Sequence, residues 1–393
     1  MFSVQDEYAE FNVKSLRANY FCIGKKKGKR YVCFNAVNDP ETINKAVELL
    51  IEAINRTLRW QLWNTWWIDK YEEELLVKRK SVEEKLRGKY DDKTVDAIIE
   101  LIDRFINYTS KLRNYWLRNG VNYEIRNLIE NLINGKTEVI IRGNNTSGIS
   151  VHEEYITLNV DKTNTGVTVH LKLKGFKSMN IKVPDVFKMI MSEEKYKEFV
   201  NEVLNGLRRG FEETDGHNEY GKASMSTAQT GQAIAWALLY PGKVRININT
   251  VNINKNDVTI QWQLRSNDYN SLKGSIIKDI DKLSVKTLLA FMITAILGDG
   301  SAYIHKIVKD GRIYDEPVIE IAMSAKKFKI WKPLLDRLWN VGFKWGESDL
   351  NENAIEIGFY GSNAIDLARA MINILPPILT DLMNAFNFEK WMT

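Results

Sequence analysis

The chain has 393 residues, a length that predicts two or three domains and a core that needs no metal or disulfide to stabilise it. Its 44% hydrophobic and 27% charged residues are typical of a globular protein and exclude a largely disordered chain. The net charge of +5 permits a nucleic-acid partner without requiring one. Because the N-terminus is polar and acidic and the longest apolar run, 288–297, is too short for a membrane span, we expect an intracellular, cytoplasmic protein without a membrane partner.

The first half of the chain predicts an α+β domain over residues 1–183, with no sign of catalytic chemistry. Residues 11–35 are typical of strands, 40–87 and 93–134 of long helices, and 150–183 of strands again. Cys22 and Cys33 flank the basic cluster GKKKGKR, which predicts two short strands around a basic turn. A disulfide and a pair of reduced thiols both fit this hairpin, and reduced thiols are the simpler interpretation.

The second half contains a repeated helix pattern. EVLNGLRRGFEETDG ends at Gly216 and LLAFMITAILGDG ends at Gly300, and the two segments align without gaps. In this register small residues recur at i, i+4 and i+8, which places them in one stripe on a helix and allows two backbones to approach closely. The stripe pairs Gly206 with Ala290, Gly210 with Thr294 and Thr214 with Gly298.

The segments that follow each motif also repeat. Both predict a strand pair, a Met-Ser before an amphipathic helix, and two further strands, so each unit has the order α-β-β-α-β-β-α. The repeats span 184–284 and 285–393. Only HNEYG separates the first Asp-Gly from the next strand, whereas SAYIHKIVKDGRIYDEP follows the second, so the first opening hairpin is predicted to be shortened.

These features resemble the LAGLIDADG homing endonuclease family, in its monomeric two-repeat form, over roughly half of the chain. The resemblance implies that the two motif helices pair at a pseudo-twofold axis and that two antiparallel saddle-shaped sheets lie in the major groove of double-stranded DNA. It also implies a site-specific endonuclease that acts as a monomer.

The acids at the two helix ends are the candidate catalytic groups. Asp215 and Asp299 would sit at two negative helix C-termini, and a divalent cation such as Mg²⁺ or Mn²⁺ would relieve that charge. The resemblance implies further metal ligands at the carbonyls of Thr214 and Gly298. Lysines at equivalent places in the two repeats, Lys243 and Lys344, are predicted to assist catalysis. The simpler interpretation of each Asp-Gly is an exposed acid beside a helix-ending glycine.

Polar side chains that alternate along the predicted strands are candidates for DNA contacts, although any solvated sheet face shows the same alternation. In the first repeat these are Arg245, Asn247, Asn249, Gln261, Gln263 and Arg265, and in the second they are His305, Lys306 and Arg312.

Two functions fit these observations. The first is a metal-dependent double-strand DNA endonuclease that hydrolyses phosphodiesters at the paired acids. The second is a catalytically inactive DNA- or RNA-binding protein of the same fold, such as a maturase or a regulator, which the short first hairpin and the added N-terminal domain favour.

Overall fold

The computed structural model describes residues 11–28, 30–143, 147–164, 166–275, 280–309, 311–351 and 353–386. Helices and strands occur both in runs and interspersed, and the fold is α+β. In the N-terminal part the elements are α1 (Val13–Arg17), β1 (Tyr20–Lys27), β2 (Arg30–Ala36), α2 (Pro40–Arg59), α3 (Trp66–Leu86), α4 (Asp92–Arg118), α5 (Val121–Ile133), β3 (Glu138–Arg142), β4 (Gly148–His152), β5 (Ile156–Thr163), β6 (Gly166–Leu173) and β7 (Met179–Val183).

The C-terminal part contains both predicted motif helices. Its elements are α6 (Val186–Ile190), α7 (Glu193–Phe199), a π-helical turn (Val200–Leu204), α8 (Asn205–Glu213), β8 (Gly216–Glu219), β9 (Lys222–Thr227), α9 (Thr230–Leu239), β10 (Gly242–Ile253), β11 (Val258–Asn270), a 3₁₀ turn (Ile280–Lys282), α10 (Val285–Asp299), β12 (Gly300–Lys309), β13 (Arg312–Ser324), α11 (Ala325–Asn340), β14 (Gly346–Asn351), β15 (Ala354–Tyr360), α12 (Ser362–Asn373) and α13 (Pro377–Phe386).

Two predictions for the N-terminal part were wrong in detail. Val13–Arg17 forms a short helix, which the side chain of Asn12 caps, and not a strand. The single helix predicted over 40–87 is broken between Arg59 and Trp66, where Gln61 adopts a φ of 44°. The helical stretch predicted over 93–134 is divided at Gly120, which lies in the left-handed region between α4 and α5.

The described residues fall into two compact units, each assembled from three segments. Unit 1 comprises Met1–Glu73, Asn107–Ser178 and Asn247–Gln261, and unit 2 comprises Glu74–Ile106, Met179–Ile246 and Trp262–Thr393. These units are not contiguous in sequence, whereas the predicted domains (1–183, 184–284 and 285–393) are. The repeat boundaries themselves stay predictions.

Unit 1 is built on a sheet in which β1 and β3 are parallel and the following strand pairs are antiparallel, in the order β2-β1-β3-β4-β5-β6. Apolar side chains such as Val139, Ile141 and Leu158 are fully buried in its core. Cys22 and Cys33 form a disulfide across the β1–β2 hairpin, with their Cα atoms 5.5 Å apart, so the preference for reduced thiols was wrong.

Unit 2 contains a four-stranded antiparallel sheet in the order β12-β13-β15-β14, which follows α10 in the chain. The second repeat has the predicted order α10-β12-β13-α11-β14-β15-α12. The first has α8-β8-β9-α9-β10-β11; residues 276–279 lie outside the described residues, and the closing helix of this repeat stays a prediction. The saddle arrangement of the two repeats stays a prediction.

The first hairpin of each repeat differs in length. β8 and β9 have four and six residues, whereas β12 and β13 have ten and thirteen. The shortening inferred from HNEYG is therefore present in the structure. Within the described part of the chain, no helix has the length and apolar character that crossing a bilayer demands.

Candidate functional site

The two motif helices, α8 and α10, lie against each other along their small residues. A Cβ atom added to Gly206 would lie 2.7 Å from the Cβ of Ala290, and one added to Gly210 would overlap the hydroxyl of Thr294 and the carbonyl of Phe291. At the end of the stripe, a Cβ on Gly298 would overlap the side chain of Thr214. The three pairs aligned from sequence are therefore the pairs in contact.

One hydroxyl group of the stripe joins the two helices, and a second stabilises α8 itself. The Oγ1 of Thr294 donates to the carbonyl of Leu207 on α8 at 2.7 Å, and it is buried. The Oγ1 of Thr214 donates to the carbonyl of Gly210 at 3.0 Å and so stabilises the last turn of α8. Thus the contact between the helices is both steric and hydrogen-bonded.

Glycine is required after each acid because the chain turns back against its own helix. A Cβ on Gly300 would lie 2.8 Å from the Cα of Ile296 and 2.7 Å from the carbonyl of Glu320, and one on Gly216 would overlap the Cα of Glu212. In both cases a Cα of the same motif helix, four residues before the glycine, leaves no room for a side chain. Gly300 has a φ of −105°, so it serves this close approach and not a left-handed cap.

Asp215 and Asp299 are located at the corresponding ends of this helix pair. The Oδ2 of Asp215 lies 3.3 Å from the position of a Cβ on Gly298, the residue that precedes Asp299. It accepts a hydrogen bond from the side-chain amide of Gln232. Asp299 accepts from the ammonium group of Lys327 at 2.6 Å, and both side chains are largely covered, at 32% and 23% exposure.

Gln232 and Lys327 occupy equivalent positions, which the sequence analysis missed. Each is the third residue of its helix, α9 or α11, and each precedes a fully buried tryptophan, Trp236 or Trp331, by four residues. The ammonium group of Lys327 lies 4.6 Å from the centre of the Trp331 ring, so a cation–π contact holds it beside Asp299. Aligning the repeats at these tryptophans would have revealed the pair.

The two lysines chosen from sequence lie at exposed strand or loop starts. The backbone N–H of Lys243 donates to Asp268 at 2.6 Å, and that of Lys344 donates to Asn363 at 3.0 Å. The cation that contacts Asp299 is Lys327. Catalytic roles for Lys243 and Lys344 stay predictions.

The charged residues of α8 anchor the end of the motif. Glu212 is fully buried and accepts hydrogen bonds from Tyr240 (2.7 Å), from the hydroxyl of Ser271 (2.6 Å) and from two backbone N–H groups of 272–273. Burial, and secondarily the Glu212 carboxylate, raises the pKa of Tyr240 well above its usual value. The ammonium group of Lys273 donates to the carbonyl of Gly216 at 2.5 Å. The segment after β11 is thereby attached directly beside Asp215.

The candidate DNA contacts of the first repeat alternate with core residues, as predicted. Val244, Ile246 and Ile248 are buried along β10, as are Ile260, Trp262 and Leu264 along β11. The intervening side chains are half-exposed, namely Arg245, Asn247, Asn249, Gln261, Gln263 and Arg265. The guanidinium of Arg265 lies 3.6 Å from Glu219, so one of these cations is partly neutralised.

The candidate contacts of the second repeat do not share one face. His305 and Lys306 are consecutive on β12 and therefore point to opposite sides of the hairpin. His305 is directly across from Glu316, and Lys306 is across from Asp315. Arg312 is exposed at the start of β13.

The sheet face that carries His305 is acidic. Glu320 accepts hydrogen bonds from Ser301 at 2.9 Å and from Tyr303 at 3.0 Å. Burial and then the neighbouring Glu320 raise the pKa of Tyr303 to about 12, and burial with Glu356, Glu320 and Glu316 raises that of Tyr360. This face offers acceptors to base edges but repels phosphates.

The ligands available at the helix ends are all oxygen atoms. Carboxylates and carbonyls suit a hard cation such as Mg²⁺ better than a softer metal, so the side chains of Asp215 and Asp299 with the carbonyls of Thr214 and Gly298 fit that ion chemically. The nearby Lys327 carries one compensating positive charge for two carboxylates.

Comparisons with known proteins show a distant structural resemblance. No family model matches the chain, and no curated protein matches it. One similar solved structure is the I-LtrWI LAGLIDADG homing endonuclease bound to target DNA, with 11% identity, a TM-score of 0.31, and coverage of 48% of this chain and 88% of that one. Another is the meganuclease I-SmaMI bound to uncleavable DNA, with 10% identity, a TM-score of 0.30, and coverage of 46% and 87%.

Proposed function

We propose that the chain is a metal-dependent, site-specific endonuclease of double-stranded DNA. The observation that carries this proposal is the pairing of α8 and α10 on glycine, with an acid at the equivalent end of each helix. An isolated Asp-Gly after a helix is common, but two joined by a close-packed helix pair concentrate negative charge at one place. The sequence resemblance to LAGLIDADG endonucleases supports the same conclusion.

The roles of the side chains follow from their contacts. Asp215 and Asp299 would hold Mg²⁺ together with the carbonyls of Thr214 and Gly298. When bound, the ion supplies electrostatic stabilisation of the charge that develops on the scissile phosphate. Lys327 keeps an ammonium group beside Asp299, where it can contact a phosphate oxygen. Gln232 orients the carboxylate of Asp215 through its amide N–H.

The decisive experiment is a cleavage assay on a library of random duplexes, with purified protein and Mg²⁺ and with cut ends identified by sequencing. We expect cut ends at a defined sequence for the wild type and for Asp336→Asn, a control acid that lies half-exposed on α11. Cleavage should be lost in Asp215→Asn and in Asp299→Asn. Cutting that persists in the double variant would contradict the proposal.

A non-cleaving nucleic-acid-binding protein is the second candidate, and two observations favour it. The hairpin β8–β9 is less than half as long as β12–β13, which shrinks the surface available for base contacts. The face of the second sheet that carries Tyr303 also carries three glutamates. This candidate predicts full binding of DNA or RNA by the Asp215→Asn/Asp299→Asn variant without cleavage by the wild type.

A further inference from the structure

The β1–β2 hairpin of unit 1 displays an exposed basic face. Lys25 is paired with Val32, and Lys27 is directly opposite Arg30, so these four side chains lie on the same side of the hairpin. Phe34 belongs to this face as well, because the ammonium group of Lys25 lies 5.0 Å from the centre of its ring. All five are exposed, with Phe34 at 61% and Val32 at 41%.

The β1–β2 pairing continues past the point where β1 stops pairing with β3. β1 pairs with β3 only from Tyr20 to Ile23, whereas its pairing with β2 continues to Lys27. Beyond Ile23, β1 pairs only with β2, and Tyr31 contacts His152 of β4 at 3.1 Å and Arg142 of β3, so the side opposite the basic face is packed against unit 1. Gly28 turns the chain with a φ of 62°.

The positive charges of this face are not neutralised within the described part of the chain. Lys25, Lys27 and Arg30 form no ion pair there, in contrast to Arg142 on β3, which binds Asp161 at 2.9 Å. Like charges directly opposite each other, as in Lys27 and Arg30, destabilise a strand pair. Because the Lys27–Arg30 pair destabilises the hairpin and no described acid neutralises it, we expect an anion from outside the chain to bind here.

Protection of a sheet edge does not explain this pattern. Edge strands are commonly blocked by lysines. Here the edge strand is β2, which exposes the apolar Val32 and Phe34, while the lysines lie on the inner strand β1. The positive charge of Arg30 also reaches Lys174, because burial and then the charge of Arg30 lower the pKa of that lysine.

We propose that the exposed face of the β1–β2 hairpin, formed by Lys25, Lys27 and Arg30, binds the phosphates of duplex DNA independently of sequence. Three exposed cations on one face of the hairpin match closely spaced backbone phosphates better than they match single bases. Single-stranded nucleic acid would instead be expected to meet several aromatic side chains, and this face has one, Phe34.

The test is the salt dependence of binding of the full chain to a random-sequence duplex, measured by fluorescence anisotropy. The triple variant Lys25→Gln/Lys27→Gln/Arg30→Gln should lower the slope of log affinity against log salt by about three, and affinity on the order of 100-fold at ~0.1 M salt. The matched control Lys111→Gln/Lys136→Gln/Lys162→Gln removes the same charge from exposed positions of unit 1 and should retain the slope.

Three outcomes separate this inference from its alternatives. An unchanged slope in the triple variant would overturn it, as would equal losses in the control. Tighter binding of single-stranded RNA that Phe34→Ala abolishes would also overturn it. The inference does not depend on cleavage, because the salt slope is measured for binding alone and without Mg²⁺.

Discussion

Substituting Gly210 by alanine tests the helix pair most sharply. The added Cβ would overlap the hydroxyl of Thr294 and the backbone carbonyl of Phe291. This carbonyl cannot move without separating α10 from α8. Overpacking of this kind costs about 1–3 kcal/mol. Loss of the hydrogen bond from Thr294 to Leu207 adds about 1 kcal/mol. The higher helix propensity of alanine returns about 1 kcal/mol, which leaves a net cost of about 2 kcal/mol.

Hydrogen exchange of amides in α8 and α10, measured by mass spectrometry on the full chain, reports this local stability directly. A cost of about 2 kcal/mol corresponds to exchange that is about 30-fold faster. Gly346→Ala is the control, since its Cβ would meet only Tyr360 at an ordinary 3.6 Å. Unchanged or slower exchange in Gly210→Ala would refute the close packing of the two helices.

Three further predictions follow from the surroundings of the acids and from the second sheet. Lys327→Met should reduce cleavage by at least about 10-fold because it removes the cation beside Asp299. Lys327→Arg keeps the positive charge and should retain part of the cleavage activity. Equal activity of the Met and Arg variants would contradict this. Glu212→Gln should accelerate hydrogen exchange of 271–274 on the order of 10-fold, since a neutral amide oxygen accepts hydrogen bonds from the backbone N–H groups more weakly than the carboxylate does; unchanged exchange would refute the anchoring role. Because the pKa of Tyr303 rises from 10.0 to about 12 on folding, the neutral phenol is favoured in the native state, and its contribution to stability, present below pH 10, is lost as the pH rises toward 12. Phenolate absorbance of wild type minus Tyr303→Phe should show this late titration, and a midpoint near pH 10 would contradict it.

The sequence predicted the helix pair well because close packing demands small residues at fixed spacing. Gly206, Gly210 and Gly298 each lie against the residue that the gapless alignment assigned, namely Ala290, Thr294 and Thr214. Close helix packing can therefore be recognised in the sequence from the spacing of small residues, whereas the hydrogen-bond partners of the acids follow no such spacing.

The partners of the acids could not be predicted in the same way. Met225-Ser226 and Met323-Ser324 align in the two repeats, but α11 begins directly after its serine, whereas three residues separate Ser226 from the start of α9. That insertion hides the equivalence of Gln232 and Lys327. Aligning the buried Trp236 with Trp331 shows instead that Gln232 and Lys327 are equivalent.

The break between α2 and α3 escaped prediction for a different reason. Apolar residues continue at helical spacing through Trp60–Thr65, and only the left-handed backbone of Gln61 interrupts the helix. Glutamine rarely adopts this conformation, so the residue type at position 61 does not predict a turn. Tertiary contacts, including the hydrogen bond from the indole of Trp60 to the carbonyl of Asn254, accompany it.

The central claim is that the paired helix ends bind a divalent cation, and Mn²⁺ binding followed by electron paramagnetic resonance tests it most directly. We expect that the wild type and Asp336→Asn bind Mn²⁺ alike and that this bound ion is lost in Asp215→Asn/Asp299→Asn. Equal binding of Mn²⁺ by the wild type and the double variant would contradict it.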